Sequence, residues 1–275
     1  MENCKVIAIT NQKGGVGKTT TTVNLGVGLA QHGYRVLLLD ADPQGSLSIS
    51  LGIKQPDDLS VTLATVMQKI IEDEPVPVDM GVIHHTEGVD LLPSNIELSG
   101  MEVNLVNTMS REHVLKTHVN ELRKHYDYIL IDCMPSLGMM TINALVAADS
   151  VLIPLQPNFL STKGLNLLMR SISRVKRQIN PKLRIDGILL TMVDSRTNNA
   201  KSIIASLRST VGQNLRVFQT EIPYSVRAAE CCNEGKSIFA HDKNGKVAQS
   251  YDALTKEMMQ IERSEKHRSR SDGVR

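Results

Sequence analysis

Near the N-terminus, Lys13-Gly14-Gly15-Val16-Gly17-Lys18-Thr19-Thr20 leaves this chain very little structural choice. The apolar run Val6 to Thr10 precedes it and reads as a strand. Thr19 to Gln31 follows with helical character and is ended by Gly33. A glycine loop between a strand and a helix is the arrangement that holds phosphate. Without Cβ atoms the backbone N–H groups turn inward, and the helix N-terminus adds partial positive charge. In such a loop Lys18 reaches the β- and γ-phosphates and the Thr19 hydroxyl ligates Mg²⁺.

The rest of the chain alternates strands with helices, which calls for an α/β fold with a mostly parallel sheet covered on both faces. Val36 to Asp40, Tyr128 to Asp132, Val151 to Pro154 and Ile188 to Val193 are nearly uninterrupted apolar runs, as in strands buried on both sides. Helices are expected over Val61 to Ile71, Arg111 to His125, Lys163 to Ile179 and Val247 to Ile261. In the third of these, Leu165, Leu168, Ile172, Val175 and Ile179 form one apolar stripe, while Arg170, Arg174 and Arg177 share another face. Residues 263–275 lack apolar periodicity and read as a disordered basic tail behind one domain over 1–262.

Composition narrows the class. With no Trp and 3 Phe among 275 residues, the core must be aliphatic. No segment reads as a signal peptide or a membrane span. Cys4, Cys133, Cys231 and Cys232 form no C-x-x-C pair, which fits reduced thiols in a cytoplasmic protein. The net charge of +2 conceals an asymmetry: residues 1–149 carry −8, whereas 150–227 carry +9. That pattern suits either a face that seeks polyanions or pairing between the two halves in the fold.

A second lysine, Lys13, opens the glycine run, and an ordinary phosphate loop has no need of it. The KGGVGKTT form resembles the deviant Walker A box of the ParA/MinD superfamily, and the likeness to the ParA/Soj partitioning ATPases covers nearly the whole chain. The resemblance implies a three-layer P-loop NTPase with a doubly wound, mostly parallel sheet flanked by helices. It implies an ATP sandwich dimer in which Lys13 acts on the partner's nucleotide and Gly14 packs at the crossing point, so that Lys13, Lys18 and Asp42 serve hydrolysis. Leu37 to Gly45 looks like the second strand and first switch, with Asp42 orienting the attacking water and Asp40 near the Mg²⁺ shell. Ile129 to Asp132 looks like the Walker B strand, with Asp132 holding Mg²⁺ directly or through water. Cys133 to Gly138 resembles the second switch, although Met134 replaces a common proline. Gly14, Gly15, Val16, Gly17, Thr19 and Thr20 would cradle ATP. Met192 and Pro223 fall where the family builds the nucleoside pocket, although Ser225 and Cys231-Cys232 depart from the usual residues there.

By the same resemblance, Arg196 and Arg227 occupy the positions from which chromosomal members contact DNA. Both lie in the +9 segment, with Lys201, Arg208 and Arg216 between them. The expected contacts are to phosphates of double-stranded DNA, nonspecific in sequence. No aromatics interleave with these cations, so single-strand stacking is not expected. A ParB-like activator is the implied partner. The alternatives are a MinD-like positioning ATPase acting on a protein partner and a DNA-coating repressor without significant turnover. Beyond Arg263 the tail has Val274 as its one apolar residue, which offers nothing to lipid. A nitrogenase-type iron protein would need cluster cysteines in glycine-rich settings, and Cys133 lacks one. Twelve residues before Lys13 leave no room for the N-terminal DNA-reading domain of larger plasmid relatives.

Overall fold

The computed structural model describes residues 4–272 apart from 195. In chain order the elements are β1 (Lys5–Ile9), α1 (Lys18–Gln31), β2 (Val36–Ala41), α2 (Ser46–Ser50), α3 (Leu63–Ile71), β3 (Ile83–His84), β4 (Asp90–Leu92), α4 (Leu98–Val106), α5 (Val114–Leu122) and β5 (Tyr128–Cys133). There follow α6 (Met139–Ala147), β6 (Ser150–Leu155), α7 (Phe159–Gln178), β7 (Arg184–Val193), α8 (Asn198–Thr210), β8 (Val217–Pro223), α9 (Val226–Glu234), α10 (Ile238–His241) and α11 (Lys246–Asp272). They build one eight-stranded sheet in the order β3-β4-β2-β5-β1-β6-β7-β8, parallel throughout except for the short antiparallel β3 edge.

The strands are apolar on both faces because both faces are covered. Val6 and Ala8 of β1, with Leu37 and Leu39 of β2, pack into a cluster with α3 to α8. Ile7 and Ile9, with Val36 and Leu38, point the other way against α1, α10 and α11. Alternation along each strand therefore divides the core into two layers, mostly aliphatic, the second of which also buries Tyr128, Phe218 and Tyr251. Arg123 fixes one end of the sheet. Its guanidinium donates to Asp149 at 2.8 and 2.9 Å and to the carbonyls of Cys4 and Ala147.

Most expected elements appear within a few residues of their predicted bounds, and α3 starts behind a Thr62 capping box. Two differences stand out. The weakly patterned stretch after Thr197 forms α8 and β8, which extend the sheet on its far edge. The last helix does not stop at Ile261 but continues to Asp272, so most of the segment expected to lack structure has a helical backbone. Extending an established helix requires no new nucleus, and Glu, Lys and Arg are good helix formers. Residues 273–275 of that expected tail lie outside the described residues. No helix among the described residues is long and apolar enough to cross a membrane.

Candidate active site

Sheet order assembles the site. Strand β5 lies between β2 and β1, so Asp132 stands in register with Asp40 on one side and Ile9 on the other, at the strand end that runs into the glycine loop. In that loop Gly15 and Gly17 adopt left-handed backbone, with φ of 66° and 83°. A Cβ on Gly14 or Gly15 would meet nothing within 4 Å. Glycine at Gly15 and Gly17 answers to backbone conformation, and the open space leaves the loop amides room to approach a ligand. Asn11 anchors the loop base, since its side chain accepts from Lys13 N at 3.0 Å and donates to Pro154 O at 2.7 Å.

The Thr19 hydroxyl donates to Asp132 Oδ2 at 2.7 Å, and the Thr22 hydroxyl, which donates to Lys18 O at 3.0 Å, shares that proton with Asp132 Oδ1 at 3.3 Å. The motif does not announce the second bond. Its one sequence signal is the run of threonines from Thr19 to Thr22, which places two hydroxyls three residues apart on one helix face. Lys18 is 7% exposed, and its ammonium donates to Lys13 O at 3.4 Å. Burial pulls its pKa down, against the opposing pull of Asp132. Burial, and then the charge of Asp40, raise Asp132 above the usual carboxylate range. Asp40 is also raised by burial, although three hydrogen bonds from Ser48 N, Ser48 Oγ and Asp42 N counter this. Ser48 likewise carries no sequence signal for this role. A buried ammonium and two buried carboxylates therefore meet around one loop.

Asp42 lies two residues beyond Asp40 and is buried, and Gln44 N donates to its Oδ1 at 3.0 Å. Lys13 is half-buried at the start of the loop, one residue before exposed Gly14. The far wall comes from β6 and β7. Thr191 donates its hydroxyl to Val16 O at 2.8 Å, and Gln156 Nε2 donates to Gly15 O at 3.3 Å. Met192 has φ of 52°, and its methyl lies 3.9 Å from where a Gly17 Cβ would stand. Pro223, by contrast, borders a neighbouring groove of about 530 Å³ with Val193, Lys246 and Gln249.

The five cations expected to meet DNA fall into two groups. Arg196 is 85% exposed and grips Asp194, its neighbour two residues back, at 2.9 and 3.1 Å. Arg227 is largely exposed and pairs with Asp242 at 2.9 Å. Lys201 is exposed on α8, and exposed Arg216 donates to Asp186 O at 3.3 Å. Arg208 differs in being less exposed and tied to two partners on β8. Its guanidinium donates to Phe218 O and to Glu221, both at 3.0 Å, fastening α8 to β8. A guanidinium held in that way serves as a clamp within the fold.

Residues 4–185 match the family model described as AAA domain. The chain is 43% identical to the sporulation initiation inhibitor protein Soj of Bacillus subtilis over 254 residues, covering 92% of this chain and 98% of that protein. It belongs to the ParA/Soj family of P-loop ATPases. A second family member, the chromosome partitioning protein ParA of Myxococcus xanthus, is 44% identical over 257 residues, covering 93% of this chain and 88% of that one. The ParA/Soj chain also superimposes on cobyrinic acid a,c-diamide synthase from Mycobacterium smegmatis with bound ADP and magnesium. There the TM-score is 0.82 at 34% identity, over 95% of this chain and 96% of that one. An McdA–ATP complex from Cyanothece shares the fold with a TM-score of 0.81 at 24% identity, covering 94% of this chain and 97% of the other.

Proposed function

We propose that this ParA/Soj family member is a DNA-partitioning ATPase that binds Mg-ATP, closes into a sandwich dimer, holds duplex DNA nonspecifically and lets go on hydrolysis. The observation that carries the reading is the meeting of Lys18, Thr19 and Asp132 around a glycine loop open on one side. The residues fit a magnesium nucleotide. Lys18 is a buried ammonium whose one hydrogen bond is long, which leaves it able to take phosphate oxygens. Thr19 and Asp132 offer two oxygens 2.7 Å apart on the phosphate side of the helix, the hard donor set that Mg²⁺ prefers. A bound Mg²⁺ would supply charge neutralisation at the phosphates. Asp40, whose oxygens accept hydrogen bonds from Asp42 N just after β2 and from Ser48 of α2, is better placed to orient this shell than to enter it.

In-line phosphoryl transfer needs positioning and charge more than covalent help. Lys18 holds the phosphates, the loop amides fix their orientation, and Asp42 orients the attacking water. Lys13, standing at the open edge beside Gly14, reaches the nucleotide of a second copy. Arg196 and Arg227, with Lys201 and Arg216, would supply phosphate contacts, and a dimer joins two such sets so that the second engages intramolecularly. A ParB-like protein would stimulate turnover. In Asp42→Ala, ATP binding should persist while hydrolysis stalls, so an ATP-bound dimer accumulates. Sedimentation with ATP measures this directly, and a variant that stays monomeric with ATP bound overturns the sandwich.

A further inference from the structure

Arg170, Arg174 and Arg177 are not used by the site described above. They stand on the outer face of α7 at i, i+4 and i+7, opposite the buried stripe of Leu165, Leu168, Ile172 and Val175. All three are exposed, and no described carboxylate pairs with any of them. This sets them apart from Arg35, Arg111, Arg123, Arg196, Arg208 and Arg227, each of which holds an acid of this chain. They border an open groove of about 860 Å³ together with Gln12, Asn166 and Ser173, and none of its described lining residues is acidic.

We propose that the arginine row of α7 is a second phosphate-tracking surface for duplex DNA, distinct from Arg196 and Arg227. Three guanidiniums in a row, interleaved with amide and hydroxyl donors, form the side-chain set that contacts phosphate without reading bases. At ~1.5 Å rise per residue the row runs for about 10 Å, long enough to follow successive phosphates of one strand. Unpaired like charges repel one another, so a polyanion relieves a cost that the free protein carries. Lys201 extends the basic character onto α8, which packs through Leu207 into the same core layer as α7. The groove begins at Gln12, next to Lys13. On the sandwich reading, on which this proposal rests, closure brings the two grooves toward one junction and makes the row most effective in the ATP-bound dimer.

The test uses the full chain with Mg-ATP and a short fluorescent duplex of arbitrary sequence, with affinity followed by anisotropy as salt is raised from about 50 to 200 mM. The R170A/R174A/R177A variant should bind at least tenfold more weakly, and its salt slope should fall by about 2.7, at ~0.9 for each phosphate no longer neutralised. Nucleotide binding and the circular dichroism spectrum of the variant should match the wild type, which separates weakened phosphate binding from a disturbed fold. Lys176→Ala, one charge removed from the same helix but outside the groove, should leave the slope within about 0.9 of the wild-type value. A triple variant with unchanged affinity and slope, beside an Arg196→Glu variant that no longer binds, overturns the proposal and leaves the DNA reading intact. Wild-type protein that fails to bind duplex even at low salt overturns the DNA reading itself. If the triple variant keeps duplex binding but loses binding of a poly-glutamate peptide, the groove serves an acidic protein segment and the proposal is wrong.

Discussion

Thr19 and Asp132, 113 positions apart in sequence, share a 2.7 Å hydrogen bond between the first helical turn after the glycine loop and the end of a central strand. Each oxygen is placed by a different secondary element, so the pair is as rigid as the packing of α1 on the sheet. The Thr22 hydroxyl, which donates to Lys18 O at 3.0 Å, lies 3.3 Å from the other carboxylate oxygen.

From that relationship, Thr19→Ala should remove the advantage that Mg²⁺ gives to ATP binding while leaving metal-free binding nearly unchanged. Titration calorimetry with Mg²⁺ and with a chelator measures both, and the ratio of affinities should shrink at least about tenfold, the loss of one oxygen partner in a hard-cation site. A variant with the full Mg²⁺ advantage would remove Thr19 from the metal shell.

The two lysines of the loop should separate by assay. Lys18→Ala removes a buried charge from the phosphates and should abolish nucleotide binding. Lys13→Ala should bind ATP with near wild-type affinity but remain monomeric, because its proposed ligand belongs to the second copy. Equal loss of nucleotide affinity in both variants would place Lys13 in its own subunit's site.

The cations expected at the DNA surface should divide as their partners do. Arg208→Ala breaks the tie between α8 and β8 and should cost about 1–2 kcal/mol in urea unfolding, a part-buried ion pair plus a hydrogen bond, with duplex affinity reduced less than tenfold. Arg196→Glu should leave unfolding unchanged, because its exposed pair with Asp194 contributes little, and should abolish retention on duplex DNA. The reverse pattern would refute the assignment of Arg208 as a structural clamp.

His118 makes stability depend on pH. It is 3% exposed on α5, and burial pulls its pKa from 6.5 down to about 4, against a small opposing effect of Glu121. The folded value lies below the unfolded one, so as pH falls the unfolded chain takes the proton first. The contribution of His118 is complete above pH 6.5 and declines toward pH 4, with a loss of about 2 kcal/mol by pH 5. Urea unfolding at pH 7.5 and 5 measures it. Buried Asp40 and Asp132, whose pKa values are pushed up, act in the opposite sense over the same range. The His118 share is therefore read as the wild-type change between the two pH values minus that of His118→Leu, expected at ~2 kcal/mol. No difference between the two proteins would assign the effect to other groups.

Residues 5 to 42 and 128 to 132 are the most legible part of the chain. Glycines at Gly15 and Gly17 announce a backbone turn that few other residues allow, and apolar runs such as Val36 to Asp40 announce strands covered on both faces. Those signals come from sterics and periodicity within a few neighbouring residues, so the sequence carries them unaided. The glycine loop marks Lys18 and Thr19 by itself, and the resemblance to ParA/Soj proteins adds Asp40, Asp42 and Asp132. Which partner each polar side chain takes is decided by tertiary structure. The order β2-β5-β1 sets Asp40 beside Asp132, and the helix after the first switch brings Ser48 to Asp40. Neither Ser48 nor Thr22 has a local pattern that distinguishes it from a surface hydroxyl. The arginines show the same division, for composition counts Arg196, Arg208 and Arg227 alike within a segment of +9. Packing then ties Arg208 to Phe218 and Glu221 and leaves the α7 row without an acid among the described residues, because a charge's partner depends on which elements the sheet makes adjacent.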